Sequence, residues 1–157
     1  MMPARTMKQM KDMFERGVNI MRLFREEEST GVNSLNAILA AYDLQSRSYV
    51  NLLNNPTHAA FVQAYTSGIA RILDSYSPKS VMEAGVGEAT TLVNVLRQMQ
   101  HSPSRALGFD ISWSRVAVGR EFSKKCGVES QLFMGDLEAI PIEDNSVDVV
   151  FTSHSIE

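Results

Sequence analysis

Beyond residue 80, short apolar runs of β type alternate with longer runs that have helical periodicity. Strands that alternate with helices at this spacing form parallel βαβ units, because a parallel connection has to cross over the sheet. The fold class predicted for this half of the chain is therefore α/β, with a doubly wound parallel sheet. The predicted strands span 80–84, 105–110, 130–134 and 147–152, and the predicted helices between them span 88–100 and 113–125.

The preceding part of the chain has a different pattern, in which apolar residues recur every three or four positions. This pattern predicts three or four helices, and its first apolar run extends from Met7 to Met21. We accordingly divide the chain into an N-terminal helical segment, residues 1–79, and an α/β half, residues 80–157. The helix breaks are predicted at 29–31, at a turn over 54–56 with Thr57 as N-cap, and at Pro78.

Composition excludes several classes of protein. The chain has 157 residues, of which 44% are apolar and 21% are charged, a balance that suits one buried core. Its apolar runs fall far short of the roughly 20 residues of a membrane span, and residues 1–16 lack the apolar stretch of a secretory signal. A single cysteine, Cys126, excludes an internal disulfide, and no Cys/His cluster has metal-ligand spacing. We expect a cytoplasmic protein without a metal and without membrane association.

The formal net charge of −3 is unevenly distributed. Residues 1–80 carry nine Lys or Arg against seven Asp or Glu, whereas residues 81–157 carry six against eleven. An acidic half is an unfavourable surface for a polyanion. The cations near the N-terminus, among them Lys8, Lys11 and Arg16, are interspersed with acids, as on a solvated helix face. No nucleic-acid partner is predicted.

The first predicted strand of the α/β half runs into a loop with Gly85 and Gly87. Glycine has no side chain, so a ligand can approach the backbone at the N-terminus of the next helix. Asp110 ends the second predicted strand, 23 residues beyond Gly87, where an acid accepts hydrogen bonds from ribose hydroxyls. The two features together predict a nucleoside-containing ligand. The dinucleotide fingerprint G-x-G-x-x-G requires glycine where this chain has Thr90, so nicotinamide and flavin cofactors are the second choice.

Three further elements follow the same order along the chain. Glu83 precedes the glycine loop, Gly135-Asp136 follows the third predicted strand, and a turn within 141–150 leads into the fourth. With these elements, residues 80–157 resemble the cofactor-binding half of the class I S-adenosylmethionine-dependent methyltransferases, which have a Rossmann-like fold. Ala89 stands where the x-G-x-G-x-G motif of the family usually has its third glycine.

The resemblance implies that S-adenosyl-L-methionine is the cofactor and S-adenosyl-L-homocysteine the product. It also implies that Asp110 holds the ribose, that Ile111 packs on the adenine and that Asp136 faces the adenine amino group. A helix over 41–49 resembles the segment that many members fold over the methionine end of the cofactor. The cofactor-binding residues predicted in this way are Glu83, Ala84, Gly85, Gly87, Asp110, Ile111, Gly135, Asp136, Leu137, Tyr42 and Tyr49.

Each of these residues also has a purely structural interpretation. The glycines suit a tight turn from strand to helix, and Asp136 suits a surface loop. Glu83 and Asp110 precede helices, whose N-termini favour negative charge. Tyr42 and Tyr49 lie seven residues apart on one predicted helical face, and they suit buried packing as well as ligand contact.

His154 ends the fourth predicted strand, where the family often places residues that face the substrate. An imidazole titrates near neutral pH, so we consider His154 as a catalytic base, although a lone histidine is more often structural. The resemblance implies methyl transfer, for which a small-molecule acceptor is our default. The alternatives are a catalytically idle cofactor-binding or regulatory module and a dinucleotide-binding oxidoreductase.

The resemblance covers four strands, whereas the sheet of the family has seven. The fourth strand would then form an open edge of apolar residues, which is prone to pairing. We therefore expect either a fragment of a longer methyltransferase or a homodimer that forms through this sheet edge or through the N-terminal helices.

Overall fold

The computed structural model describes residues 5–155, and the chain forms two compact units, Met1–Ser46 and Arg47–Glu157. The first unit contains helices α1 (Met7–Glu15), α2 (Ile20–Glu28) and α3 (Leu35–Gln45). Each helix begins at a polar residue whose side chain accepts a backbone N–H of the first turn. These N-caps are Thr6, Asn19 and Ser34. The apolar run from Met7 to Met21 is divided between two helices, because Gly17 has a left-handed φ of 83°.

The predicted single helix over 41–49 is wrong. α3 ends at Gln45, and Arg47 has a φ of 75°, which a right-handed helix does not accommodate. Tyr42 and Tyr49 consequently lie on different helices and in different units, not on one helical face.

The second unit begins with two helices, α4 (Ser48–Leu52) and α5 (Pro56–Tyr76). The N-cap of α5 is Asn55 and not the predicted Thr57, because the Asn55 side chain accepts the N–H groups of Thr57 and His58. Pro56 takes the first helical position, where its missing N–H is not needed. No helix within residues 5–155 combines the length and the apolar composition that a membrane span requires.

The predicted parallel α/β sheet is confirmed, with four strands in the order β3-β2-β1-β4. The elements are β1 (Ser80–Ala84), α6 (Thr90–Gln98), β2 (Arg105–Asp110), α7 (Trp113–Lys125), β3 (Gln131–Met134) and β4 (Val149–Thr152). In the sheet, β2 lies on one side of β1 and β4 lies on the other side. The carboxyl ends of β1 and β4 are therefore the topological switch point, where ligands bind in sheets of this kind.

The core lies mainly on one face of the sheet. There α5, α6 and α7 pack on the strands through a single cluster that includes Leu73, Val81, Leu92 and Val116. Successive residues of a strand point to opposite faces, so the residue after Val81, Met82, belongs to a smaller cluster on the other face.

The boundary between the two units lies at 46/47, whereas the sequence pattern places it at 79/80. The physical reason is the packing of α5 on α6. The Tyr65 hydroxyl forms a hydrogen bond of 2.9 Å with Thr91 Oγ1, and Gln98 donates to Thr66 Oγ1 at 2.7 Å. α5 therefore forms one compact unit with the sheet that follows it.

Candidate functional site

The loop after β1 contains three residues with left-handed backbone. Gly85, Gly87 and Ala89 have φ angles of 73°, 52° and 57°. Glycine adopts such angles without steric cost, whereas an alanine there costs about 1–2 kcal/mol. The Val86 N–H donates to the Phe109 carbonyl at 2.8 Å and so fastens the loop to the end of β2. The loop has a defined shape at the topological switch point.

Asp110 holds the same loop from the end of β2. Its carboxylate is 7% exposed, and it accepts the Gly87 N–H on one oxygen and the Ser112 N–H on the other, both at 2.9 Å. A carboxylate has about four lone-pair sites, so sites remain that can accept ligand hydroxyls. Ile111, the next residue, is half-buried. Asp110 therefore has a structural role and retains the capacity to bind a ribose.

The side chain of Glu83, two residues before the glycine loop, is only 1% exposed. It accepts the Leu92 N–H in the first turn of α6, and its Oε2 has no hydrogen-bond partner among residues 5–155. Burial raises the pKa of Glu83 well above its usual value, the Leu92 hydrogen bond opposes this, and the negative charge of Asp110 adds to it. The neighbouring Ala84 packs on the opposite face of the sheet.

Glu88 is a candidate that the sequence analysis did not identify. It follows Gly87 directly and is 2% exposed. Its Oε2 accepts the Val50 N–H of α4 at 2.8 Å, whereas its Oε1 has no hydrogen-bond partner in the described part of the chain. The available signal in the sequence was a second acid next to the glycines, and the burial of Glu88 makes it a candidate site residue.

Tyr49 and Arg115 lie beside the glycine loop. The guanidinium carbon of Arg115 lies 4.9 Å from the centre of the Tyr49 ring, a cation–π contact. The same carbon is 3.5 Å from the position that a Cβ on Gly87 would occupy. An ion pair of 2.8 Å between Arg47 and Glu121 also connects the start of α4 to α7. The structure thus brings Tyr49 to the loop.

The residues after β3 lie beside Asp110. The Gly135 N–H donates to the main-chain carbonyl of Asp110 at 3.1 Å. Asp136 is exposed, and its Oδ1 accepts the Glu138 N–H at 3.0 Å. Leu137 is 43% exposed. The side chains of Asp136 and Leu137 are accessible to a ligand at the carboxyl end of the sheet.

His154 follows β4 and has a left-handed φ of 59°. Its exposed ring meets the edge of the Tyr65 ring, with a centroid distance of 5.9 Å and an interplanar angle of 86°. The next residue, Ser155, donates its hydroxyl to the Gly85 carbonyl at 3.0 Å. His154 therefore lies beside the glycine loop, on the β4 side of the switch point.

A separate cleft of about 570 Å³ lies at the amino ends of β2 and β3. Its lining includes Arg105, Arg120, Lys124 and Glu129 but no residue of the glycine loop. Ligands of parallel sheets bind at the carboxyl ends, so this cleft is not the candidate site. Within residues 5–155 no group of three His, Cys, Asp or Glu side chains is placed to hold a metal ion.

Comparison with known proteins agrees with this geometry. A family model described as a methyltransferase domain matches residues 81–157. A solved structure from Nostoc punctiforme, described as a candidate O-methyltransferase, shares the fold with a TM-score of 0.51 at 16% identity; the match covers 70% of this chain and 30% of that one.

Two other solved structures match a smaller part of this chain. One is an S-adenosylmethionine-dependent methyltransferase from Aquifex aeolicus, with 22% identity, a TM-score of 0.41 and coverage of 46% of this chain and 38% of that one. The other is the YcgJ protein from Bacillus subtilis, with 26% identity, a TM-score of 0.40 and coverage of 46% and 30%.

The matched part spans 30–38% of the length of these three structures. The family match runs from the second residue of β1 through β4 and so contains the glycine loop, Asp110 and His154. Residues 81–157 therefore match the methyltransferase domain family, and their sheet has an α/β Rossmann-like fold.

Proposed function

We propose that this chain supplies the S-adenosyl-L-methionine-binding half of a methyltransferase that acts on a small-molecule acceptor. The observation that carries the proposal is the glycine loop, residues 85–89, which Asp110 clamps; next to this loop one oxygen of Glu83 has no hydrogen-bond partner within residues 5–155. The acids around this loop suit a cationic nucleoside. An ammonium group near Glu83 would favour its charged form and so lower its raised pKa.

In this proposal each side chain has one task in holding the cofactor. Asp110 accepts the ribose hydroxyls through its remaining lone pairs, and Asp136 accepts the adenine amino group. Ile111 and Leu137 border the adenine ring. Glu83 acts on the ammonium group indirectly, because a side chain that is 1% exposed does not reach a ligand without an intervening group.

The bound cofactor supplies an electrophilic methyl group on a sulfonium, which is already a good leaving group. The protein therefore contributes chiefly alignment of the acceptor and exclusion of water. We assign to His154 the task of taking the proton of an acceptor that carries one; the support is that the next residue, Ser155, donates its hydroxyl to the Gly85 carbonyl. The reaction class is methyl transfer to an oxygen or a nitrogen of the acceptor when His154 serves as the base.

Calorimetric titration with S-adenosyl-L-methionine and S-adenosyl-L-homocysteine tests the proposal. We expect binding by the native chain and by the control Glu129→Gln, in the cleft at the other end of the sheet, and loss of binding in Asp110→Ala. Ligand at about one hundred times its dissociation constant adds about 2.7 kcal/mol to the free energy of unfolding. Undiminished binding in Asp110→Ala, or stabilisation by a nicotinamide dinucleotide in place of S-adenosyl-L-methionine, would contradict the proposal.

We further propose a cytoplasmic protein that forms a homodimer through the open edge of β4 or through the N-terminal helices. In the described part of the chain no strand pairs with the outer edge of β4, and Val150 on that strand is 52% exposed. Open strand edges of this composition favour pairing with a second strand. Light scattering checks the dimer, and a strict monomer at high concentration would contradict it.

A further inference from the structure

Four aromatic side chains form a continuous row along α5 that ends at the candidate site. His58, Phe61 and Tyr65 follow one another at helical spacing, and His154 adds the fourth ring after β4. The centroid distances are 6.4 Å, 5.4 Å and 5.9 Å in that order. All three lie in the range of 4.5–7 Å in which aromatic rings attract one another. We call these four residues the aromatic row.

The inner end of the aromatic row is fixed to the cofactor loop region. Tyr65 is half-buried, and its hydroxyl is within 2.9 Å of Thr91 Oγ1 in the first turn of α6. Burial raises the pKa of Tyr65, the hydrogen bond with Thr91 lowers it, and the charge of Glu83 raises it further. Tyr65 is therefore within electrostatic reach of Glu83, and its phenol stays protonated at neutral pH.

The middle of the aromatic row is open to solvent at Phe61, whereas His58, the first ring of the row, is half-buried. Phe61 is 60% exposed, so its ring is accessible to a ligand. The row also lies in the longest uncharged part of the chain, because residues 48–70 contain no Lys, Arg, Asp or Glu. No charged residue lies close to these rings along α5. The aromatic row therefore suits a neutral, planar ligand, and this stretch of α5 offers no ion-pair partner to a charged polymer.

We propose that the aromatic row binds the methyl acceptor, and that this acceptor is a neutral planar phenol whose hydroxyl points to His154. This inference rests on the proposed methyl transfer. The ring of the acceptor packs on Phe61 and Tyr65, and the His154 imidazole takes the hydroxyl proton. The phenol oxygen then forms a bond to the methyl carbon, while the carbon–sulfur bond breaks and its electron pair returns to sulfur as the neutral thioether.

A phenol is favoured over a saturated alcohol for two reasons. The rings of the row offer stacking energy only to a planar partner. In addition, a phenol hydroxyl, with a pKa near 10, gives its proton to an imidazole far more readily than an aliphatic hydroxyl does.

Titration of the full chain with 2-naphthol, followed by NMR of the aromatic side chains, tests the inference. The saturated analogue decahydro-2-naphthol is the matched control ligand. We expect 2-naphthol to shift the ring signals of Tyr65 and His154, with an affinity that Phe61→Leu weakens about three- to tenfold. The control variant Ile72→Leu changes another exposed apolar side chain of α5, 62% exposed, and is expected to leave the affinity unchanged.

Equal binding of the saturated analogue would overturn the inference, as would equal affinities of Phe61→Leu and Ile72→Leu. Failure of the proposed function is recognised separately, because S-adenosyl-L-methionine binding is measured by calorimetry without an acceptor. Binding of 2-naphthol that leaves the ring signals of Tyr65 and His154 unshifted would overturn the assignment of the row as the acceptor site.

Discussion

The carboxyl ends of β1 and β2 differ from those of β3 and β4 in how deeply their acidic and imidazole side chains are buried. Glu83, Glu88 and Asp110 are between 1% and 7% exposed, and each accepts at least one backbone N–H. Asp136 and His154, which follow β3 and β4, are exposed. One side of the candidate site is buried and hydrogen-bonded, and the other side is open.

This difference shows that the two sides contribute to function in different ways. Burial of a polar group without a partner costs several kcal/mol, and each acid of the buried side accepts at least one backbone N–H when the chain folds, although Glu83 Oε2 and Glu88 Oε1 keep no partner within residues 5–155. That side is preorganised before any ligand binds. A substitution there changes folding stability and ligand binding together, whereas a substitution on the open side changes binding or turnover alone.

The largest effect is expected from Asp110→Ala. The substitution leaves the N–H groups of Gly87 and Ser112 without their acceptor. An unsatisfied buried donor costs about 1–3 kcal/mol, so we expect the free energy of unfolding to fall by about 2–4 kcal/mol. Urea denaturation measures it. Asp110→Asn keeps one acceptor oxygen and should lose less, and equal losses in the two variants would mean that Asp110 does not clamp the loop.

A smaller and more local loss is expected from Glu88→Ala, which removes the acceptor of the Val50 N–H. We expect the free energy of unfolding to fall by about 1–3 kcal/mol and the Val50 amide to exchange faster with solvent. Hydrogen exchange followed by NMR measures both. The control is Glu121→Ala, which breaks the exposed ion pair with Arg47, the residue before α4, and should cost less than about 1 kcal/mol. If Glu88→Ala and Glu121→Ala lower the free energy of unfolding equally, the burial of Glu88 does not increase its contribution to stability.

The sheet was accessible to sequence analysis because its signals are local. The strand over 105–110 and the helix over 113–125 match the structure to the residue, since apolar runs and helical periodicity decide both. β4 begins at Val149, two residues later than the pattern indicates. There the Asp148 carboxylate accepts the N–H groups of Lys79 and Ser80, so the chain is still turning at that residue.

Sequence analysis missed the features that depend on distant contacts. Glu88 is recognised only through Val50, which is 38 residues away, and the break at Arg47 follows from a backbone angle that no local motif announces. The roles of the predicted cofactor residues remain predictions. Periodicity and motif spacing describe what one segment favours, whereas a site is the product of several segments.

The third prediction concerns pH and the buried side of the site. Burial raises the pKa of Glu83 above its usual 4.5, so the folded chain holds this proton more tightly than the unfolded chain. The resulting stability is fully present below pH 4.5 and is lost as the pH rises through the raised value, with a slope of at most about 1.4 kcal/mol per pH unit.

Urea denaturation of the native chain and of Glu83→Gln across this pH range isolates the contribution of Glu83. The difference in unfolding free energy between the two proteins should change with pH in the direction given, because the glutamine does not titrate. A pH-independent difference would mean that Glu83 has the same pKa in the folded and unfolded chains.

The smallest effect on stability is expected on the open side, from His154→Gln. His154 is exposed, and the substitution removes its ring contact with Tyr65, so the free energy of unfolding should fall by about 1 kcal/mol or less. S-adenosyl-L-methionine binding should not change either, because the loop and Asp110 stay intact.

Methyl transfer in the intact enzyme should fall by about 10²–10⁴-fold if His154 removes the proton of the acceptor. His101→Gln, another exposed histidine outside the candidate site, is the control. Unchanged turnover in His154→Gln would exclude the base, and a large loss of stability would show that the two sides are not separable as their burial indicates.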